Sequence, residues 1–191
     1  MIQVLERNSD RYFVHQSVTW EQFKTVQSAF AEISGVRLMY CEGILEIMGI
    51  GLLHEMVCTL LGGLLMTYFS LKHINFISTG AYSQLIEPRA EFQADLSYSF
   101  SGNQEATDLC IEIVVTSGGI KKLKKYQLRS IPEVWFWEAG KISIYVLDNG
   151  EYLEVEESRF LPGLDRSHLE PCLLMDSHLE AILAFRAKYE A

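Results

Sequence analysis

The 191-residue chain has no excess of positive charge: 25 Asp and Glu face 16 Lys and Arg, a formal net charge of −9. An average surface of that sign repels phosphates, which excludes indiscriminate nucleic-acid binding but leaves room for a local basic face. Cysteine is sparse and scattered. Cys41, Cys58, Cys110 and Cys172 form no C-x-x-C pair, which excludes the usual zinc patterns and, with no signal peptide, a disulfide framework. Cys58 and Cys110 lie in apolar runs and read as small core residues. The first residues, Met-Ile-Gln-Val-Leu-Glu-Arg, lack the basic-then-apolar layout of a secretory signal, and a cytoplasmic location is the expectation. There is no internal repeat and no low-complexity linker. The charge-free run from Met56 to Leu71 spans 16 residues, short of the roughly 20 a membrane span needs. Thr59, Thr67, Ser70 and the Gly62-Gly63 pair suit a packed interior, so residues 52–73 read as a helix buried against a sheet, with no membrane partner.

What remains is an ordinary globular composition, 49% hydrophobic and 21% charged, expected to fold as one domain over residues 1–191. Residues 1–18 have no clear period and suggest an arm or edge strand. Thr19 followed by Gln22 is a capping-box start for a helix with Trp20, Phe23, Val26 and Phe30 on one face. Val36–Tyr40 and Ile44–Met48 read as a hairpin around Cys41-Glu42-Gly43. Short strands follow at Phe76–Ser78 and Ser83–Glu87, then a longer one at Gln93–Phe100. Leu109–Val115 has the apolar, partly β-branched run of a strand buried on both faces. A turn at Thr116–Gly119 and a lysine-rich helix come next, then a strand at Pro132–Trp137. Ile142–Leu147 and Tyr152–Val155 form a hairpin across Asn149-Gly150. His178–Lys188 predicts a C-terminal helix with Leu179, Ile182, Leu183 and Phe185 on its apolar side. The pattern is α/β or α+β: helices around one mixed sheet, a core over about residues 19–155 and a C-terminal helical extension over about 156–191.

Two acidic residues interrupt these apolar strands. Glu112 sits mid-strand, where a charge is costly unless paired or bound to a cation. Asp95 lies near the start of the preceding strand. Two carboxylates converging from adjacent strands suit a hard divalent cation such as Mg2+, which takes oxygen ligands and keeps several waters. The backbone carbonyl of Ile113 would supply a third ligand. A nearby lysine would orient the attacking water and stabilise charge developing on a phosphate. In the structural alternative, Asp95 caps a strand end and Glu112 pairs with one of the lysines.

Asp…Glu followed by lysine resembles the PD-(D/E)XK nuclease superfamily. Within it the chain is similar to a large bacterial family of restriction-endonuclease-like proteins, often called Uma-two and long carried as a domain of unknown function. The likeness runs through Cys41–Met48, His54-Glu55, Glu112–Tyr126, Ile131–Glu138, Leu161–Leu164 and Ala184–Arg186, covering roughly residues 19–186. It implies a restriction-endonuclease-like core and a Mg2+- or Mn2+-dependent DNA endonuclease, with Asp95 and Glu112 as metal ligands. Val114 stands where the superfamily's lysine usually lies. The family pattern moves that lysine onto the next helix, at Lys122, and a flexible four-carbon stem permits the reach. Tyr126 and Arg129 share the flank of Lys122 at i+4 and i+7. Lys124 is the runner-up, and Lys121, Lys124 and Lys125 otherwise read as a solvated face. The resemblance also nominates Glu46 or Glu55 as an additional acid. It makes His54 a packing residue or a rim residue near phosphate, and Asp108 a structural or supporting acid. DNA is the implied substrate, and a homodimer is expected because many superfamily members cut both strands as dimers.

Two other readings follow from the residues: a non-catalytic nuclease-fold module binding nucleic acid or protein, and an interaction protein whose acidic pocket binds no metal. Trp135 and Trp137 alternate with Phe136 and cannot share its face, which favours packing over a base-stacking platform.

Overall fold

The computed structural model describes residues 10–103, 105–115 and 122–190. The chain opens with strand β1 (Arg11–His15) and helix α1 (Trp20–Ala29). The Thr19 side chain accepts from Gln22 N–H while the Gln22 side chain accepts from Thr19 N–H, closing the expected capping box. β2 (Val36–Cys41) and β3 (Ile44–Gly49) pair through a tight turn in which Glu42 and Gly43 both take positive φ, at 44° and 88°. Helix α2 (Leu52–Leu71) is followed by β4 (Ile77–Ser78), β5 (Ser83–Ile86), β6 (Ala90–Gln93), β7 (Leu96–Ser99) and β8 (Leu109–Val114). Helix α3 (Leu123–Leu128), β9 (Glu133–Glu138), β10 (Lys141–Asp148), β11 (Glu151–Val155), α4 (Arg166–Cys172) and α5 (His178–Tyr189) complete the order. The expected turn at Thr116–Gly119 and Lys121 lie outside the described residues.

The strands form two sheets rather than one. The first is antiparallel, in the order β1-β3-β2-β6-β5; the second runs β11-β10-β9-β8-β7-β4, with β8 and β9 parallel. The second sheet went unforeseen because Gln93–Phe100 looks like one continuous strand. It breaks at Ala94-Asp95: β6 ends in the first sheet and β7 begins in the second. Asp95 is therefore the hinge of the two sheets. Its N–H bonds the Ile111 carbonyl at 3.0 Å, which ties the crossing to β8.

β8 is buried along its whole length, and its two faces divide the core. Leu109, Ile111 and Ile113 pack with Trp135 and Trp137 against Leu61, Leu64, Leu65 and Phe69 of α2. Cys110 and Val114 pack on the other side with Phe136, Tyr126 and Phe92. Both tryptophans are core residues. α2 is long and apolar enough to cross a membrane by length and composition, yet here it is the central helix, with nine residues buried. On α5 the buried residues are Ala181, Phe185 and Tyr189, not the expected leucines: Leu179 is 66% exposed and Leu183 56%. The i, i+4, i+8 row wins because α4, which the sequence reading missed, packs beside α5 and contributes Leu169 and Cys172 to the same core.

Candidate active site

Glu112 points from β8 into the side of the sheet that carries α3, and three donors converge on it. Lys122 Nζ lies 3.0 Å from Oε2, Lys125 Nζ lies 2.7 Å from Oε1, and the Tyr126 hydroxyl also donates to Oε1. Burial alone would push the Glu112 carboxyl up, but Lys122 and Lys125 outweigh it and hold it well below the usual carboxylate range. The same exchange acts on Lys122: burial opposes its charge, Glu112 overrides that, Asp95 and Glu46 add to it, and its pKa is raised. Three carboxylates thus act on one ammonium. Tyr126 is driven up by burial and then by Glu112.

Lys125 corrects the sequence reading. Rather than belonging to a solvated face, it is buried, and its ammonium lies over the rings of Phe92 and Tyr126 at 5.4 and 5.1 Å. Lys124, the runner-up, is exposed and pairs with Glu42 at 2.6 Å, away from Glu112. Arg129 turns aside to Gln84.

Three groups hold the Asp95 carboxylate. Its Oδ2 accepts the Ile113 N–H at 2.7 Å, while Oδ1 accepts from Arg37 and lies 2.9 Å from His54 Nε2. His54 is a fully buried bridge, neither a rim residue nor mere packing: its Nδ1 faces Asp10 Oδ2 at 3.0 Å. Burial opposes protonation of this ring, but Asp95 and Asp10 outweigh burial and raise its pKa. Asp10 and Arg37 were absent from the sequence-based set. Among the described residues, Glu46 on β3 leaves its buried Oε2 without a hydrogen-bond partner. Tyr12 on β1 stands close to Glu46 and Glu112; burial first, then Glu46, raises its pKa. Glu55 is exposed in the first turn of α2 and takes no part. Asp108 is structural, accepting the N–H groups of Phe100 and Ser101.

Asp10, Glu46, Asp95 and Glu112 thus gather with Arg37, His54, Lys122 and Lys125, so basic groups concentrate at this place although the whole chain is acidic. Asp10, Tyr12, Met48, Val114 and Lys122 help enclose a cavity of about 10 Å³, room for about one water.

A family model, Uma2, described as a putative restriction endonuclease, matches residues 20–181. The chain belongs to this family. Among solved structures, a chain from Anabaena variabilis ATCC 29413 described as a putative nuclease belonging to DUF820 superposes with a TM-score of 0.55 at 14% identity, covering 88% of this chain and 99% of that one. That likeness is one of fold. No curated protein gives a significant match. Asp95, Glu112 and Lys122 all fall inside the Uma2 match, whereas Asp10 and Tyr12 precede it.

The donor set suits a hard divalent cation in kind, since Asp95, Glu112 and Glu46 offer only oxygen and one buried Glu46 oxygen has no partner among the described residues. Among the described residues no three His, Cys, Asp or Glu side chains gather as a ready metal cluster. Two protein carboxylates with water completing the shell match the usual habit of Mg2+.

Proposed function

We propose that this Uma2 member is a Mg2+- or Mn2+-dependent DNA endonuclease that hydrolyses phosphodiester bonds. The observation that carries the reading is Lys122: a buried lysine on the helix after β8, 3.0 Å from Glu112 and within the field of Asp95. Asp95 and Glu112 would hold the cation, with the Ile113 carbonyl as a third protein ligand and Glu46 as an additional acid. The cation, when bound, would lower the pKa of a coordinated water and neutralise phosphate charge. Lys122, kept protonated by Glu112, would orient the attacking water and stabilise charge developing on the phosphate. Lys125 and Tyr126 would fix Glu112 from the far side. The cavity beside Lys122 has room for about a water and is too small for a phosphate.

Four free cysteines fit a reducing cytoplasm. A homodimer would cut both strands, and exposed apolar side chains such as Leu179 and Leu183 on α5, both more than half exposed, are available to it.

One observation favours a second reading, a non-catalytic nuclease-fold module that binds nucleic acid or protein: every oxygen of Asp95 and Glu112 already has a donor. Incubation with plasmid and linear DNA in MgCl2 or MnCl2, with Asp95→Ala and Glu112→Ala alongside, separates the two. Cleavage by the wild type alone supports the enzyme. No wild-type cleavage, or undiminished cleavage by both variants, removes it.

A further inference from the structure

Four groups form an unbroken buried chain from the edge strand to the strand that carries Glu112. Asp10, just before β1, accepts the Gly51 N–H at 2.7 Å through Oδ1 and faces His54 Nδ1 at 3.0 Å through Oδ2. His54, in the first turn of α2, faces Asp95 Oδ1 at 2.9 Å through Nε2. Asp95 reaches the Ile113 N–H of β8 at 2.7 Å through Oδ2. Each carboxylate has one oxygen anchored by a backbone N–H and the other turned to the ring, so neither can rotate without breaking a buried bond. Gly51, the N-cap of α2, has no side chain, and Asp10, just before β1, ties down that residue's own N–H. Asp10 also lines the small cavity shared with Lys122.

We propose that Asp10 and His54 are a positioning pair for Asp95: the ring holds the carboxylate so that fixed lone pairs face the cation, and Asp10 holds the ring. The inference rests on the metal-dependent reading above. It makes the N-terminal strand, which lies before the Uma2 match, a part of the site rather than a decoration on the first sheet. The competing structural role is a staple joining β1 to α2. The two differ in one respect: a staple affects folding, and a positioning pair affects cation affinity in protein that is folded.

The test is calorimetric titration of the full chain with MnCl2, with thermal melting of the metal-free protein as the folding check. The variants are Asp95→Ala, Asp10→Asn, His54→Ala and His54→Gln. Asp95→Ala should abolish binding. Asp10→Asn and His54→Ala should weaken Mn2+ by about 10- to 100-fold, the range expected when an outer partner of a metal ligand is lost. His54→Gln, whose amide can still donate to Asp95, should recover part of the loss. Should His54→Ala fail to fold, Asp10→Asn and His54→Gln decide the matter. If the wild type binds Mn2+ and these two variants bind it equally well, the pair is a staple and the inference is wrong while the metal reading stands. A wild type that binds no Mn2+ overturns both.

Discussion

Glu112 and Glu133 sit on neighbouring parallel strands, both shut away from water, yet their partners are of opposite kinds. Glu133 accepts from neutral donors: the Trp135 indole at 2.6 Å, the Ser158 hydroxyl at 2.6 Å and the Arg159 backbone N–H at 2.8 Å. Those donors belong to β9 and the segment after β11, so Glu133 fastens the C-terminal extension to the sheet. Glu112 instead faces two lysines and a tyrosine from α3. Ammonium groups on flexible stems can yield to another cation, whereas an indole packed in the core cannot. Burial of a carboxylate therefore does not mark a site. The charge and mobility of its partners do.

The comparison can be broken most forcefully at the proposed ligands. Asp95→Ala and Glu112→Ala should each lower Mn2+-dependent cleavage at least about a thousandfold, since several kcal/mol of charge stabilisation depend on them. Lys122→Met should cost about 10²- to 10³-fold in turnover, as for loss of one charge-stabilising donor, and Lys124→Ala should cost nothing. Steady-state cleavage rates read both, and the reverse result would reassign the lysine. Glu133→Ala should behave differently, destabilising the fold by roughly 3 kcal/mol in urea denaturation because three donors, the Trp135 indole and Ser158 hydroxyl among them buried, lose their acceptor. Its cleavage rate per folded molecule should match the wild type.

The smallest effect is in pH. The Glu112 carboxyl is depressed in the folded protein, so its contribution to stability is present above its ordinary value of 4.5 and is lost as pH falls below that. Lys122 is raised, so its contribution is present below its ordinary value of 10.5 and is lost only as pH rises past it. The stability difference between wild type and Glu112→Gln should be flat between about pH 5 and pH 9 and shrink in acid. Denaturation curves across that range check this, and a difference that grows below pH 4.5 would contradict it.

Much of this was legible in the residues. A lone acid in an apolar strand picked out Glu112, and helical spacing placed Lys122 and Tyr126 on one flank. Lys125 was missed because that flank was followed at i+4 and i+7. The i+3 neighbour faces the same carboxylate, and its ammonium is tolerated in the core by Glu112 and two aromatic rings. Asp10 and Arg37 left no local trace: they meet His54 and Asp95 across 44 and 58 residues. The break at Ala94-Asp95 was hidden because the apolar pattern runs through it and only the choice of sheet changes. Helix α4 was hidden by its shortness and by Pro171 inside it, although Asp165 does cap it.

The central claim is that Glu112 is chemical and Glu133 architectural. Plasmid cleavage in MnCl2 by the wild type, Glu112→Gln and Glu133→Gln, all well below their melting temperatures, tests it in one assay. The account predicts cleavage by the wild type and Glu133→Gln and none by Glu112→Gln. Cleavage by Glu112→Gln at the wild-type rate, or an uncut plasmid with the wild type, would contradict it.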